Sequence, residues 1–536
     1  MNIRNWASRI MEQGMAKAFH SSGNGRTLAL WVVALVSLAA ILTALWQLHA
    51  GTRGLEIRQI QVDGVPMTLY LPARETPAPV AVIAHGFAGS RQMMQPLAIT
   101  LARNGYIALT FDFPGHGANT QPFVADLLDE DKRRGLLGGA LETAVTTGLA
   151  LPRSDGRLAL LGHSMAGDII LMHMHEHPDR VRAAVLLSPY ISGAFPMETL
   201  NNLLFVFGGL EPAGLHQAAL AAFVPLTDTP ETGVTYGNMA DGSARRLALA
   251  GGVEHIGVLY ARDMLRESLA WLNASVSPAG ASHDGDLDRR GPWLGLLFLG
   301  IIALAWPLSR LLPRVAVPPV GLGLPRRQLL KILWLPALLT PLLLWPVPVG
   351  LLPLLLVDYL ALHFAVYGLL CWGLLGWSAR RHRESAGATL RWQALAPAVL
   401  LAAGYLTLAI GIPVHLYVTG YLPGPERALI LPLVFLGMLL FFSADEWMTR
   451  GSEAARGAYA LTKVFLFLSL ILAVALRLET LFFLIIILPA ILVCLTVYGL
   501  LSGWIYRATG HPWVGATAVA LALAWGMSVT FPLVGA

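Results

Sequence analysis

Long uninterrupted runs of apolar residues fill two parts of the chain, and a segment of mixed polarity separates them. The first run, TLALWVVALVSLAAILTALWQL at 27–48, contains no charged residue and is long enough to cross the ~30 Å hydrocarbon core of a bilayer. Similar runs fill most of the chain after residue 292. This pattern predicts a membrane protein with a soluble domain at 55–275, between its first and second membrane spans.

The apolar runs predict about nine membrane helices, and the first of them at 27–48 is expected to be an uncleaved signal anchor. Its apolar run exceeds the roughly 7–15 residues of a cleavable signal peptide, and no clean A-x-A cleavage site follows it. The other spans are predicted at 293–309, 330–347, 351–377, 393–418, 428–444, 459–476, 480–504 and 513–533.

The remaining segments complete the predicted domain organisation. Residues 1–26 are expected to form a cytoplasmic tail, and 293–536 a polytopic helical domain. The stretch at 276–292 is rich in Gly, Ser, Pro and Asp, which is typical of a flexible linker. A compact loop on the membrane surface is the alternative for this stretch.

Composition and charge support this interpretation and give the chain an orientation. Hydrophobic residues make up 55% of the chain and charged residues 13%, whereas an average soluble protein has about 25% charged residues. With the N-terminus in the cytoplasm, the short outer loops after the soluble domain carry only two basic residues, Arg427 and Arg477. The cytoplasmic segments carry Arg4, Arg9, Lys17, Arg26, Arg310, Arg314, Arg326, Arg327, Lys331, Arg380, Arg381, Arg383, Arg391, Arg450, Arg456 and Arg507.

This asymmetry places the soluble domain outside the cytoplasm, on the periplasmic or outer face of the cell inner membrane. The net charge of +5 is then a topology signal, so we expect the lipid bilayer as a partner and no nucleic acid. The two cysteines, Cys371 and Cys494, both fall in predicted spans. The soluble domain therefore folds without disulfides.

Within 55–275 the pattern alternates between strands and helices. Two segments in which apolar and polar residues alternate, IRQIQVDG and PMTLYLP, predict an antiparallel pair of strands at the start of the domain (the entry pair). Four continuous apolar runs follow: APVAVIAHG, YIALTFDFPG, RLALLGHS and RAAVLLSPY. Continuous runs of this kind are typical of strands buried on both faces of a parallel sheet. Helical stretches at 92–104, 127–150 and 165–177 lie between them, so the domain is predicted to be an α/β sheet covered by helices.

Ser164 lies where one of these buried strands ends and a helix begins, in the sequence LLGHSMAG. This is the context that a nucleophile elbow requires, although the G-x-S-x-G pattern has Ala166 in its last position. The motif AHGFAGS follows the third strand, and FDFPGHG follows the fourth. In this order and at these strand ends, the three motifs resemble the α/β-hydrolase superfamily, and in particular its compact esterase and dienelactone-hydrolase-like members.

The resemblance implies a catalytic triad and an oxyanion hole. Ser164 would be the nucleophile, and the backbone N–H groups of Met165 and Phe87 would bind the oxyanion. His255, in the loop after the last strand, would be the general base. His85 and His116 would shape their loops. For the acid, Glu211 after the strand LLFVFG is favoured, with Asp228 and Asp241 as alternatives.

No cofactor is expected, because acyl chemistry on serine needs none. The sequence has no recognisable metal-ligand spacing, Walker loop or dinucleotide fingerprint. Ionisable residues inside membrane spans are costly and suggest function, so Asp358, His363 and His415 form a possible membrane-side site. Buried hydrogen bonds between helices are the alternative role for these three residues.

These residues predict a membrane-embedded serine hydrolase of the carboxylesterase or lipase type that cleaves ester bonds through an acyl-enzyme on Ser164. Proximity to the bilayer favours a lipidic or acylated substrate. One alternative is an acyltransferase that uses the same triad. The other is a transport or signalling membrane protein whose hydrolase-like domain only binds a ligand.

Overall fold

A computed structural model describes residues 24–73, 75–124, 129–192, 195–224, 226–276, 285–379 and 388–535 of the chain. Most of the predicted tail at 1–26, residues 277–284 of the predicted linker, and Arg380, Arg381 and Arg383 of the basic loop lie outside these ranges. The expectations for those segments stay predictions.

The soluble domain is built on a nine-stranded sheet. Its strands are β1 (Glu56–Val62), β2 (Val65–Leu71), β3 (Ala78–Ala84), β4 (Ile107–Phe111), β5 (Ser154–His163), β6 (Val181–Leu187), β7 (Leu203–Gly208), β8 (Thr235–Tyr236) and β9 (Arg245–Ala250). The strand order is β1-β2-β4-β3-β5-β6-β7-β9-β8, with every pair from β4 to β9 parallel. The two edges are antiparallel, so the predicted entry pair is confirmed.

Helices cover both faces of this sheet, because the parallel strands are apolar at consecutive positions. In β5, Leu158 and Leu160 face a cluster that includes the helices α3 (Glu130–Leu149) and α4 (Ala166–Glu176). Ala159 and Leu161 face the opposite cluster, built with α2 (Gln95–Arg103) and α5 (Arg262–Ser275). The predicted α/β class is confirmed.

Nine helices in the described part of the chain are long and apolar enough to cross a membrane, as the sequence predicts. They are α1 (Asn24–Ala50), α6 (Arg290–Ser309), α7 (Arg326–Leu344), α8 (Val357–Ala379), α9 (Trp392–Tyr417), α10 (Pro425–Thr449), α11 (Ala458–Leu476), α12 (Leu478–Thr509) and α13 (Pro512–Thr530). Helix α1 packs on α6 through Ala44, Leu48, Leu297 and Ile301. The other eight helices follow the soluble domain in the chain. The first of them, α6, thus lies against the helix that precedes this domain.

Two of the helix boundaries that differ from the predicted spans have local reasons. The span predicted from residue 351 begins at Val357, because the Asp358 carboxylate accepts the backbone N–H groups of Gly350 and Leu351. The last helix ends at Thr530, before Pro532. The residues after it form backbone hydrogen bonds with the soluble domain instead.

The carboxyl ends of the parallel strands face the helical region. After β3, the Ser90 hydroxyl lies 2.9 Å from Thr419 Oγ1, beyond the end of α9. After β4, the Gly115 carbonyl oxygen accepts the Leu533 N–H at 2.8 Å and the Arg427 guanidinium at 2.6 Å. The edge of the sheet that carries the sequence motifs is thus joined to the ends of membrane-candidate helices.

The described part of the predicted linker also contacts the soluble domain. The backbone N–H of Asp288 donates to Thr100 Oγ1 at 3.0 Å, and that of Asp286 donates to Asn104 Oδ1 at 3.2 Å. Asp288 is buried beside Arg290, with which it pairs at 3.1 Å. Residues 285–289 thus run along α2 to the start of α6.

Candidate active site

Ser164 occupies a sharp turn between β5 and α4. Its φ of +52° lies in the left-handed region, which costs a non-glycine residue about 1–2 kcal/mol. Its backbone N–H donates to Leu187 O, and its carbonyl oxygen accepts the N–H groups of Gly167 and Tyr190. These hydrogen bonds hold the strained turn and present the half-buried Ser164 side chain at the carboxyl edge of the sheet.

Small residues allow the strand and helix to meet around this serine. A Cβ atom added to Gly162 would lie 2.9 Å from the Cβ atom of Ala166. One added to Gly86 would lie 3.0 Å from the Cβ atom of Ser164. Ala166 therefore fits where the pattern has glycine, and the loop that carries Gly86 packs directly on the candidate nucleophile.

The structure brings Ser164, His255 and Glu211 together. His255 lies in the loop after β9, and its Nε2 atom is 3.0 Å from Ser164 Oγ. Its Nδ1 atom is 2.6 Å from Glu211 Oε1. Asp241 instead accepts hydrogen bonds from Ser243, and Asp228 is exposed to solvent. Of the three acids considered, Glu211 is the one in contact with His255.

Glu211 is buried and surrounded by hydrogen-bond donors. Its second oxygen, Oε2, accepts the Ser188 hydroxyl and the Gly208 backbone N–H, both at 2.6 Å. Burial raises the pKa of Glu211, but the hydrogen bonds from His255, Ser188 and Gly208 together outweigh it. The pKa therefore lies below its usual value, and the side chain is a carboxylate at neutral pH.

His163 is a supporting residue that the sequence did not single out. Its Nε2–H donates to the backbone carbonyl oxygen of His255 at 2.9 Å. Burial lowers the pKa of His163 to about 3, so the ring is neutral at physiological pH. A side chain within the Ser164 motif thus holds the loop of the candidate base. Only its place beside the serine could have pointed to this contact.

The predicted oxyanion residues come from two different segments of the chain. Met165 directly follows Ser164 and precedes α4, whereas Phe87 follows Gly86 in the loop after β3. His85 fixes this loop from within: its Nδ1–H donates to Gly86 O at 2.7 Å, and its Nε2 atom accepts the Phe113 N–H. Burial lowers the pKa of His85, which keeps the ring neutral for this pair of contacts.

The FDFPGHG loop is held by Asp112 and His116. The Asp112 carboxylate accepts the N–H groups of Arg91 and Ala118 and pairs with the Arg91 guanidinium. The His116 ring packs edge-on against Phe87, with 5.9 Å between the ring centroids. Of the two histidines expected to shape loops, His85 therefore belongs to the loop that carries Phe87, and His116 contacts this loop.

The possible membrane-side residues make separate contacts in the structure. Asp358 caps the loop at 350–351, as described above. His363 is fully buried in α8 between Tyr359 and Tyr367. His415 accepts the Tyr421 N–H at 3.1 Å near the end of α9. Their functional role stays a prediction.

Two further groups of titratable residues lie outside the predicted site residues. In the helical region, Asp445 and Glu446 are buried and pair with Lys463 and Arg450. In the soluble domain, a second group brings ligand atoms of three residues within 4.8 Å of one another, and it comprises Glu142, His173 and His177. Arg180 donates to both Glu142 oxygens at 3.0 Å, so an ion pair already occupies that carboxylate.

Known proteins resemble the soluble domain. Residues 75–212 match the family model described as serine aminopeptidase, S33. Cutinase 2 of Thermobifida cellulosilytica is 29% identical over 127 residues, which are 23% of this chain and 44% of the cutinase. Cutinase cut1 of Thermobifida fusca is 29% identical over 127 residues, which are 36% of its length. The chain thus spans less than half the length of these relatives.

Among solved structures, the dienelactone hydrolase from Anabaena variabilis shares 17% sequence identity, with a TM-score of 0.30. The alignment covers 41% of this chain and 98% of that enzyme. The sheet order, the positive φ of Ser164 and the family match agree with the sequence motifs. The soluble domain of this chain is therefore an α/β-hydrolase domain, joined to a helical region with the composition of a membrane domain.

Proposed function

We propose that this chain is a membrane-embedded serine hydrolase that cleaves ester bonds through an acyl-enzyme on Ser164. The supporting observation is the unbroken hydrogen-bonded series from Ser164 through His255 to Glu211, with distances of 3.0 and 2.6 Å. A nucleophile, a base within reach of it and a carboxylate that orients the base are the groups that acyl transfer to serine requires.

In the first half of the reaction, Ser164 Oγ attacks the carbonyl carbon of the ester, and its proton passes to His255 Nε2. The tetrahedral oxyanion lies toward the backbone N–H groups of Phe87 and Met165. The C–O bond to the alcohol then breaks, and the alcohol leaves with the proton from His255. The acyl group stays on Ser164.

In the second half, His255 takes a proton from water while the water oxygen attacks the acyl carbon. The bond to Ser164 breaks, the serine regains its proton, and the carboxylic acid is released. Glu211 stays ionised throughout, since its pKa is lowered, and it stabilises the imidazolium that forms in each half. His163 keeps the backbone of His255 in place.

The helical region and its charge pattern complete the proposal. Nine apolar helices in the described part of the chain suggest a multi-pass membrane protein. The bias of Lys and Arg toward one side favours a hydrolase domain outside the cytoplasm. The names of the matched relatives favour ester cleavage, while the name of the family model also includes peptide cleavage.

The experiment that tests this function is fluorophosphonate labelling of the full-length protein, together with hydrolysis of p-nitrophenyl acetate. Ser164→Ala is expected to abolish labelling and to lower kcat by at least about 10³-fold. Ser154→Ala is a matched control, because Ser154 lies at the opposite end of the same strand. Labelling that persists in Ser164→Ala would exclude Ser164 as the nucleophile, and turnover of an aminoacyl nitroanilide in place of the ester would indicate a peptidase.

A further inference from the structure

We propose that the acyl chain of a bilayer lipid ester reaches Ser164 along helix α12, past Phe483, so that the substrate enters from the membrane. This inference rests on the proposed serine-hydrolase function. It adds the substrate class, a long-chain acyl ester of a membrane lipid, and a residue that selects it.

The first observation is the contact between Phe87 and Phe483. Their ring centroids lie 4.4 Å apart with an angle of 38° between the rings, so the two side chains are in direct contact. Phe87 directly follows Gly86, at which an added Cβ would lie 3.0 Å from the Cβ atom of Ser164. Phe483 belongs to α12, one of the membrane-candidate helices. A residue of that helix therefore contacts the loop after β3, which packs directly on Ser164.

The second observation is the exposed apolar face of α12 that leads to this contact. Its exposed large apolar residues are related by steps of three, four or seven positions, which places them on one face of the helix. They are Leu478, Phe482, Ile485, Ile486, Leu492, Val493 and Leu500. In a membrane helix, lipid acyl chains cover such a face. Phe483 lies beside the end of this face that is nearest the soluble domain.

The third observation comes from the soluble domain itself. Among its described residues, the exposed large apolar side chains concentrate after β6, β7 and β9, and only Ile57 and Leu249 lie elsewhere, within strands. Val234 directly precedes β8, at the far end of the connection that follows β7. Leu210, beside Glu211, is 67% exposed, and Val224, in the same connection between β7 and β8, is 69% exposed. Ile256, beside His255, is also exposed. Exposed apolar side chains that gather on one surface mark contact with a membrane, a ligand or another protein, and here they surround the catalytic groups on the edge joined to the membrane-candidate helices.

These three observations describe one route. The carboxyl edge of the sheet is joined to the helical region through Ser90 and Gly115, so the catalytic groups lie at the boundary between the two. An ester in the outer leaflet has its carbonyl group near the headgroups and its acyl chain among the helices. The chain can then stay against α12 and Phe483 while the carbonyl carbon reaches Ser164.

The route is tested with the full-length protein in vesicles of an ether-linked phosphatidylcholine, which has no ester bond to cleave. One substrate is p-nitrophenyl acetate in the water, and the other is a fluorogenic phospholipid ester in the vesicle. Phe483→Ala is expected to lower kcat/KM for the phospholipid about tenfold, because one apolar contact to the chain is lost. Turnover of the acetate should stay within about twofold. Leu436→Ala, at an exposed residue of α10 rather than of α12, should change neither rate.

A second pair of variants tests the loops of the soluble domain. Val224→Asn is expected to lower only phospholipid turnover, whereas Val234→Asn, at an exposed valine beside the edge strand β8, should not. If Phe483→Ala does not fold, the comparison of Val224→Asn with Val234→Asn still tests the route. The route is excluded if Phe483→Ala and Val224→Asn change both substrates equally or neither. If the wild-type protein itself shows neither fluorophosphonate labelling nor acetate turnover, the result would instead contradict the hydrolase function.

Discussion

The Nε2 atom of His163 lies 2.9 Å from the backbone carbonyl oxygen of His255. The two rings lie 4.8 Å apart between centroids, and a Cβ atom on Gly86 would approach the other nitrogen of His163 at 2.8 Å. His163 is therefore enclosed between the candidate base and the loop after β3. The strand that presents Ser164 thus also fixes the position of its partner.

His163→Ala is expected to lower kcat for p-nitrophenyl acetate by about 10–100-fold, since a shift of about 1 Å in His255 misplaces the base. His163→Gln retains an N–H donor and should recover part of the loss. Steady-state kinetics of both variants, with fluorophosphonate labelling rates, check this. Equal kinetics of the alanine variant and the wild type would show that the His255 loop keeps its position without the His163 hydrogen bond.

Glu211 should control both activity and the pH dependence of stability. Glu211→Gln is expected to lower kcat by about 10³–10⁴-fold, because a neutral amide neither stabilises the imidazolium nor fixes its tautomer. Since the pKa of Glu211 is lowered in the folded protein, its ionisation stabilises the fold above the unfolded pKa of about 4.3. That contribution is lost as the pH falls through the lower, folded-state pKa.

The measurement is the difference in Tm between the wild type and Glu211→Gln at a series of pH values. The difference should be largest above about pH 5 and should shrink on acidification. Glu254→Gln is the matched control, because Glu254 accepts the local backbone N–H groups of Ile256 and Gly257. A difference that grows toward low pH would mean that Glu211 is protonated in the native protein.

The orientation of the chain is tested by cysteine labelling. Asp286 has a side chain that is 68% exposed beside α2, and Arg391 is exposed at the start of α9. Asp286→Cys in intact cells should react with an impermeant thiol reagent, whereas Arg391→Cys should react only after the membrane is broken. The two native cysteines are replaced by alanine first, since both lie in membrane-candidate helices. The reverse pattern would place the hydrolase domain in the cytoplasm.

The sequence predicted the α/β class and the helix count because each depends on a local signal, whereas the grouping of Ser164 with His255 came from the family resemblance. Apolar runs and strand-end motifs are visible one segment at a time. Glu211 was preferred over Asp228 and Asp241 on its position after β7, and the structure brings it to His255. The contacts that needed the whole fold were not predictable in this way.

Those contacts join residues that are far apart in the chain. His163 meets the backbone of His255, and Phe87 meets Phe483, although neither pair has a sequence pattern that links its members. The charged residues Asp445 and Lys463 lie on separate helices and neutralise each other only when these pack. A pattern reports how apolar a face is, but it does not report which other face covers it.

The last prediction concerns Asp358, which connects the helical region with the catalytic edge through a series of backbone contacts. Its carboxylate holds Gly350 and Leu351. The segment that follows bonds to the end of α13, where the Leu355 N–H donates to Pro532 O at 3.0 Å. Leu533 in turn bonds to Gly115 and Phe123 of the hydrolase domain. Asp358 thus positions the segment that docks the catalytic edge on the helices.

Asp358→Asn is expected to keep the turnover of p-nitrophenyl acetate and to lower turnover of the vesicle-borne phospholipid ester. The acetate reaches Ser164 from water and depends on the triad alone, whereas the lipid ester depends on how the domain sits on the helices. The amide can still accept a hydrogen bond but lacks the charge, so a loss of about 3–10-fold is expected for the lipid ester. Glu426→Gln, a carboxylate near the start of α10, is the control. An equal loss on both substrates at unchanged expression would make Asp358 a residue of general stability, and no loss on either would leave the helices as an anchor alone.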